Sequence, residues 1–173
     1  MINELTKTER ISDGERILQL SHSNQALFNT QDLATLWRIK NRNTLRVVIA
    51  RYIERGLLHR IWRGLYSIQP LKNIHPWKLG QKIANTYCYI SCETILFNAG
   101  IINQKPQEIT LVSNFSKKFT ALDHHFRVRQ MKDELLYDNT GIIKKEGVYV
   151  ANTQRAKKDL TYFNPKKYYD ANF

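Results

Sequence analysis

The sequence contains few cysteine, proline and glycine residues. It contains two cysteines, four prolines and seven glycines in 173 residues. Two cysteines exclude a dense disulfide framework, and the apolar neighbours of Cys88 and Cys92 favour reduced, buried thiols. His124 and His125 could add ligands to a metal site, but their spacing from the cysteines is unlike that of structural zinc sites. We therefore expect neither a metal ion nor a cofactor.

Long apolar runs are absent as well. None approaches the roughly 18 residues that a membrane-spanning helix requires. The first ten residues also lack the apolar stretch of a signal peptide. These absences predict a cytoplasmic protein with no membrane partner.

Acidic residues are scarce relative to basic ones. Fifteen Asp and Glu stand against 27 Lys and Arg, so the formal net charge is +12. Such an excess favours a polyanionic partner, such as DNA, RNA or an anionic membrane surface, and charge alone does not choose among them. Because 42% of the residues are hydrophobic, the chain is expected to fold, and its length suits two small modules.

The first module is predicted to contain three helices followed by a β-hairpin. Capping boxes at Thr6–Glu9 and Ser12–Glu15 indicate a first helix that ends near Ser21. Thr30 is expected to cap a short second helix. The remaining elements are a polar turn at 41–43, a third helix over 44–55 followed by Gly56, and hairpin strands over 57–62 and 65–68. This order is typical of a winged helix-turn-helix domain, which we place at residues 1–70.

A polar connection between Pro70 and Pro76 leads to a second module, which we place at residues 75–173. Helices are predicted over 77–85, over 92–99 with Ser91 as the cap, and from Asn152 to about Phe163. Strands are predicted over 108–112, 118–122, 126–131 and 148–151, with weaker candidates at 135–137 and 142–143. Strands grouped between helices predict an α+β fold with a mainly antiparallel sheet.

The third predicted helix carries the clearest functional pattern. Its apolar face is formed by Leu45, Val48, Ile49, Tyr52 and Ile53, which recur at helical spacing. Its opposite face combines base-reading, phosphate-binding and small side chains, namely Asn43, Arg46, Val47, Ala50 and Arg51. This division is what a DNA recognition helix requires.

The contact residues are predicted by their position and chemistry. Side chains near the N-terminus of the third helix are expected to contact base edges, namely Asn43, Thr44, Arg46 and Val47. Four arginines are expected to bind phosphates, namely Arg42, Arg51, Arg55 and Arg60. Arg63, at the hairpin tip, is expected to reach the minor groove or the flanking phosphates. From Arg38 to Arg63 eight Lys and Arg stand against Glu54 alone, so +7 of the net charge lies here.

An enzyme active site has little support in the sequence. The candidate residues of the second module are Glu93, His124, His125 and Asp159. They match no paired-carboxylate motif, and the chain has no glycine-rich phosphate loop. We therefore expect no catalytic residues, and a nucleic-acid-processing enzyme is less favoured than a DNA-binding regulator.

Three stretches of the chain form a recognisable series. The first runs from Phe28 through the third helix to Tyr66, the second is Tyr89–Leu96 with Gly100 and Ile101, and the third is Val150–Leu160 with Tyr162. Together they span most of the chain and resemble the AbiEi family of antitoxins and transcriptional regulators, from bacterial abortive-infection toxin–antitoxin pairs. In the third stretch Thr153 and Gln154 stand where the family has a Pro-Glu pair, and Lys158 replaces an apolar residue.

The resemblance implies a cytoplasmic bacterial repressor that binds inverted repeats in the promoter of its own operon. It also implies that the second module helps to neutralise a nucleotidyltransferase-like toxin, as the antitoxin of a type IV pair. The alternative is a winged-helix regulator with no toxin partner.

Overall fold

The structure, a computed structural model, describes residues 11–165. Within this range the chain forms seven α-helices and two β-sheets, and its packing divides it into two compact units between Lys72 and Asn73. The fold is mixed α+β, with five antiparallel and two parallel strand pairings. The capping box predicted at Thr6–Glu9 lies outside the described residues.

The described part of the first unit contains three α-helices and a three-stranded sheet. Its elements in chain order are α1 (Asp13–His22), β1 (Leu27–Asn29), α2 (Thr30–Leu36), α3 (Arg42–Glu54), β2 (His59–Trp62) and β3 (Leu65–Ser67). β3 is the central strand and pairs antiparallel with β1 and with β2. Strand β1 was not predicted, because three residues carry no usable alternation pattern.

Side-chain caps set the starts of α1 and α2. The Ser12–Glu15 capping box is confirmed at the start of α1. The prediction that Thr30 caps α2 is wrong, because Asn29 caps that helix by accepting a hydrogen bond from the Asp32 amide at 2.8 Å. Thr30 is the first residue of α2, and its hydroxyl donates to the carbonyl oxygen of Gly64 at 3.3 Å.

Helix α3 begins two residues earlier than predicted. The Asn41 side chain accepts hydrogen bonds from the amides of Asn43 at 2.9 Å and Thr44 at 3.1 Å, so the predicted polar turn is itself the helix start. The apolar face is confirmed. Its buried members Leu45, Val48, Ile49 and Tyr52 pack with Leu20, Phe28, Leu33, Trp37 and Leu58 in the core of this unit.

The second unit contains four helices and a six-stranded sheet. Its elements are α4 (Pro76–Ala84), β4 (Tyr89–Ile90), α5 (Glu93–Asn98), β5 (Ile109–Ser113), β6 (Lys117–Ala121), β7 (His124–Gln130), α6 (Asp133–Leu136), β8 (Ile142–Lys145), β9 (Val148–Ala151) and α7 (Thr153–Phe163). The strand order is β6-β7-β5-β4-β9-β8, with parallel pairing of β4 to β9 and of β5 to β7. The weak strand predicted at 135–137 is wrong, since most of it lies in α6.

Helices cover both faces of this sheet. Gly80 of α4 approaches Phe126 so closely that a Cβ atom there would lie 2.7 Å from the ring. Side chains alternate between the two faces along a strand, so Arg129, three residues after Phe126 on β7, lies on the opposite face of the sheet. Arg129 contacts Glu93 of α5, so α5 lies on that other face. Within residues 11–165, no helix is both long and apolar enough to cross a membrane.

The predicted Ser91 cap of α5 is wrong. The Ser91 hydroxyl donates to Asp159 Oδ2 of α7 at 2.6 Å and is therefore not available to the helix start. Helix α5 instead begins at Glu93, after Cys92, which has φ 56° and provides no side-chain cap. Asn152 caps α7 as predicted, by accepting a hydrogen bond from the Arg155 amide at 2.8 Å.

Candidate nucleic-acid interface

The nine side chains predicted to contact DNA are all exposed in the first unit. They are Arg42, Asn43, Thr44, Arg46, Val47, Arg51, Arg55, Arg60 and Arg63. Six of them lie on α3, where burial of Leu45, Val48 and Ile49 in the core turns the opposite side of the helix to solvent. We call the exposed side of α3 that carries Asn43, Arg46, Val47, Ala50 and Arg51 the α3 surface.

The early start of α3 changes the place of two predicted residues. Arg42 and Asn43 were assigned to a turn, but both lie in the first turn of the helix. The N-terminal end of a helix carries a partial positive charge, so Arg42 adds a full charge where the helix dipole is already positive. Both features attract an anion such as a phosphate group.

Positive charge surrounds the α3 surface. All eight basic residues between 38 and 63 are exposed, namely Arg38, Lys40, Arg42, Arg46, Arg51, Arg55, Arg60 and Arg63. Among the residues that the structure describes, only Arg55 of these eight has a carboxylate within 4.0 Å. Among the described residues, no carboxylate therefore lies close enough to the other seven cations to neutralise their charge.

Arg55 is held by helix α1. Its Nη1 lies 3.1 Å from Asp13 Oδ2, and Arg16 Nη1 lies 3.0 Å from Asp13 Oδ1. The Tyr52 hydroxyl donates to the carbonyl oxygen of Asp13 at 3.1 Å. Burial raises the pKa of Tyr52, and the charge of Asp13 raises it further, so the hydroxyl keeps its proton and remains a donor. Asp13 was not singled out from the sequence because its partner is 42 residues away.

The hairpin turn is fixed to the start of α2. Arg63 and Gly64 connect β2 to β3, and Gly64 has φ +74°, a conformation that glycine adopts without steric cost. The carbonyl oxygen of Gly64 accepts a hydrogen bond from the Thr30 amide at 2.9 Å. This contact also brings the Thr30 hydroxyl close to the turn. The two hydrogen bonds from Thr30 hold the backbone of Gly64, the residue that follows the exposed Arg63.

Three of the four residues considered for catalysis have separate structural partners. Glu93 pairs with Arg129 at 3.2 Å, Asp159 accepts from Ser91, and the His125 ring shares a hydrogen bond with the Thr120 hydroxyl at 2.9 Å. Within residues 11–165, no group of three or more His, Cys, Asp or Glu could hold a metal ion.

Both cysteines are free and buried. Burial raises the pKa of the Cys88 thiol to about 12 and also raises the pKa of Cys92. Both therefore remain protonated near neutral pH, and a thiolate is the form that acts as nucleophile or metal ligand.

The second unit contains a buried polar centre that sequence reasoning missed. The Arg155 guanidinium donates to Asp159 Oδ1 at 2.8 Å and to the Tyr89 hydroxyl at 2.9 Å. It also donates to three backbone carbonyl oxygens, those of Leu135, Asp138 and Thr140. The only sequence signal is the i, i+4 spacing of Arg155 and Asp159, which also occurs on exposed helices. All five acceptors belong to the same unit, so this arginine has a structural role.

A comparison of the sequence with protein-family models finds no match, and a comparison with curated proteins finds none either.

Proposed function

We propose that the first unit is a winged helix-turn-helix domain that binds double-stranded DNA and makes this protein a sequence-specific transcriptional regulator. In this proposal α3 enters the major groove and the β2–β3 turn forms the wing. The order α1-β1-α2-α3-β2-β3, with β3 between β1 and β2, supports it. The observation that carries the proposal is the exposure of eight basic side chains around α3 and the turn.

The chemistry of the surface divides into two roles. Arginine and lysine neutralise phosphates and release counterions, which provides affinity without regard to sequence. Asn43 and Arg46 lie within the first five residues of α3, and Asn and Arg are the side chains that form bidentate hydrogen bonds with adenine and guanine in the major groove. An enzyme active site is not part of the proposal.

The resemblance to the AbiEi family supports a more specific role. We propose a cytoplasmic bacterial antitoxin that represses its own operon through inverted repeats, with a nucleotidyltransferase-like toxin as its functional partner. Winged-helix regulation without a toxin is the alternative within the same class. The two differ only in what the second unit does.

Expression of the full chain with a reporter gene under its own promoter tests the regulatory role. We expect repression that is lost when Arg46 and Arg51 are both changed to alanine, whereas unchanged repression would remove the proposed role of the α3 surface.

Co-expression with the product of an adjacent gene tests the antitoxin role. Rescue of growth by this double variant would show that neutralisation does not depend on repression, and absence of any toxic neighbour would leave the simpler regulator.

A further inference from the structure

We propose that Val47 is a specificity-determining residue that recognises the 5-methyl group of a thymine in the major groove. This inference rests on the proposed DNA-binding function and specifies which sequences the α3 surface accepts. The observation behind it is an exposed apolar side chain on a basic surface. Val47 is 52% exposed, although it lies between the exposed cations Arg46 and Arg51.

Neither folding nor solubility explains a valine at this position. Val47 is turned away from the core that its neighbours Leu45, Val48 and Ile49 enter, so it contributes little burial. Valine is also β-branched and has a lower helix propensity than alanine, lysine or glutamate. Among the described residues of the first unit, Leu18 is the only other large apolar side chain that is as exposed, and it lies on α1.

A thymine methyl group would supply the missing apolar contact. In the major groove thymine presents its 5-methyl group, which is the apolar feature that distinguishes it from the other unmodified bases. Ala50, one turn after Val47, is also exposed and is small enough to let the helix approach the base edges. Arg46 and Arg51 are charged, so Val47 is the member of the α3 surface best suited to contact a methyl group.

The position of Asn43 extends the inference to a neighbouring base. Asn43 and Val47 are separated by one helical turn, which is about 6 Å along the axis at 1.5 Å per residue. Successive base pairs are about 3.4 Å apart, so the two side chains span about two base-pair steps. Asparagine is the bidentate partner of adenine. The preferred sites should therefore contain an adenine within about two base pairs of the thymine.

The test begins with selection of duplexes from a random library by the full chain. Each thymine of the selected duplex is then replaced singly by uracil, which removes only the methyl group. At one thymine of each half-site, uracil should weaken wild-type binding by about fourfold, the factor that corresponds to one buried methyl group. Val47→Ala should bind the thymine duplex with a similar loss and should be insensitive to uracil at that position.

Leu18→Ala is the matched control, since it truncates an equally exposed apolar side chain outside the α3 surface. It should retain wild-type affinity and wild-type sensitivity to uracil. Because the uracil comparison uses the wild-type chain, it does not depend on the folding of any variant. Wild-type binding that ignores uracil at every position, or Val47→Ala that remains as sensitive as wild type, would overturn the inference alone. Failure to select any sequence would instead overturn the proposed sequence-specific binding.

Discussion

Asp13 Oδ2 lies 3.1 Å from Arg55 Nη1, so the first turn of α1 holds the arginine that follows α3. In the proposed complex a phosphate group competes with Asp13 for this guanidinium. Asp13→Asn should therefore increase DNA affinity about threefold, the factor that corresponds to an exposed ion pair of about 0.6 kcal/mol. Titration of a fluorescent duplex by anisotropy measures the change.

Glu15→Gln is the matched control for that experiment. It removes the same charge from the same turn of α1, but Glu15 hydrogen bonds to Ser12, whereas Arg55 pairs with Asp13. Glutamine preserves the capping box. If both variants change DNA affinity equally, Asp13 acts only through net charge and the pairing with Arg55 has no influence on binding.

Arg46 and Arg51 should differ in what they contribute to binding. Arg46 is the nearer of the two to the N-terminus of α3, which is the end that contacts bases in recognition helices. Arg46→Ala should lose about 1–3 kcal/mol of binding free energy on the selected duplex and relax the preference at one position. Arg51→Ala should weaken binding to selected and random duplexes alike. Equal losses from both variants on both duplexes would mean that the reading face has been assigned wrongly.

A side chain at position 64 should destabilise the hairpin turn. Its φ of +74° is unfavourable for an L residue, and a Cβ atom would lie 3.1 Å from the Thr30 hydroxyl oxygen. Gly64→Ala should lower the free energy of unfolding by about 1–2 kcal/mol. Gly14→Ala, in α1 with no atom within 4 Å of the added Cβ, should leave stability unchanged or slightly higher. Thermal unfolding of both variants checks the contrast, and equal melting temperatures would contradict it.

Arg155 should be indispensable to the second unit. Arg155→Met leaves Asp159 Oδ1 and three backbone carbonyl oxygens without the donor that Arg155 provides, and removal of one partner of a buried ion pair costs about 3–5 kcal/mol. Lys158→Met removes a positive charge from an exposed site on the same helix and should change stability by less than about 0.5 kcal/mol. Urea unfolding followed by circular dichroism measures both. A loss of similar size in the two variants would contradict the structural role.

Local patterns predicted much of the first unit. The apolar repeat from Leu45 to Tyr52 identified the buried face of α3, and Arg63 with Gly64 identified the hairpin turn. The start of α3 was placed two residues late because Asn41, Asn43 and Thr44 are all good caps, and sequence does not decide which of them leaves helical geometry. Asn29 was missed as the cap of α2 for the same reason.

Contacts between residues distant in sequence were harder to predict. The parallel pairs β4 with β9 and β5 with β7 join strands that are distant in sequence, and alternation within each strand does not specify its neighbour. Ser91 looked like a helix cap, but Asp159, 68 residues away, takes its hydroxyl. The nine predicted contact residues are all exposed, because the same apolar periodicity that buries one face of α3 exposes the other.

Duplex binding by the full chain as a function of salt decides whether the protein recognises DNA by sequence and by charge. Affinity for a selected duplex and for a random duplex is measured by anisotropy at several salt concentrations. We expect tighter binding to the selected duplex and a steep decrease with salt, with a log–log slope of about −0.9 for each phosphate contacted. The single change Arg51→Ala should reduce that slope by about one phosphate contact. A flat salt response, or equal affinity for the two duplexes, would contradict the claim that this protein is a sequence-specific DNA-binding regulator.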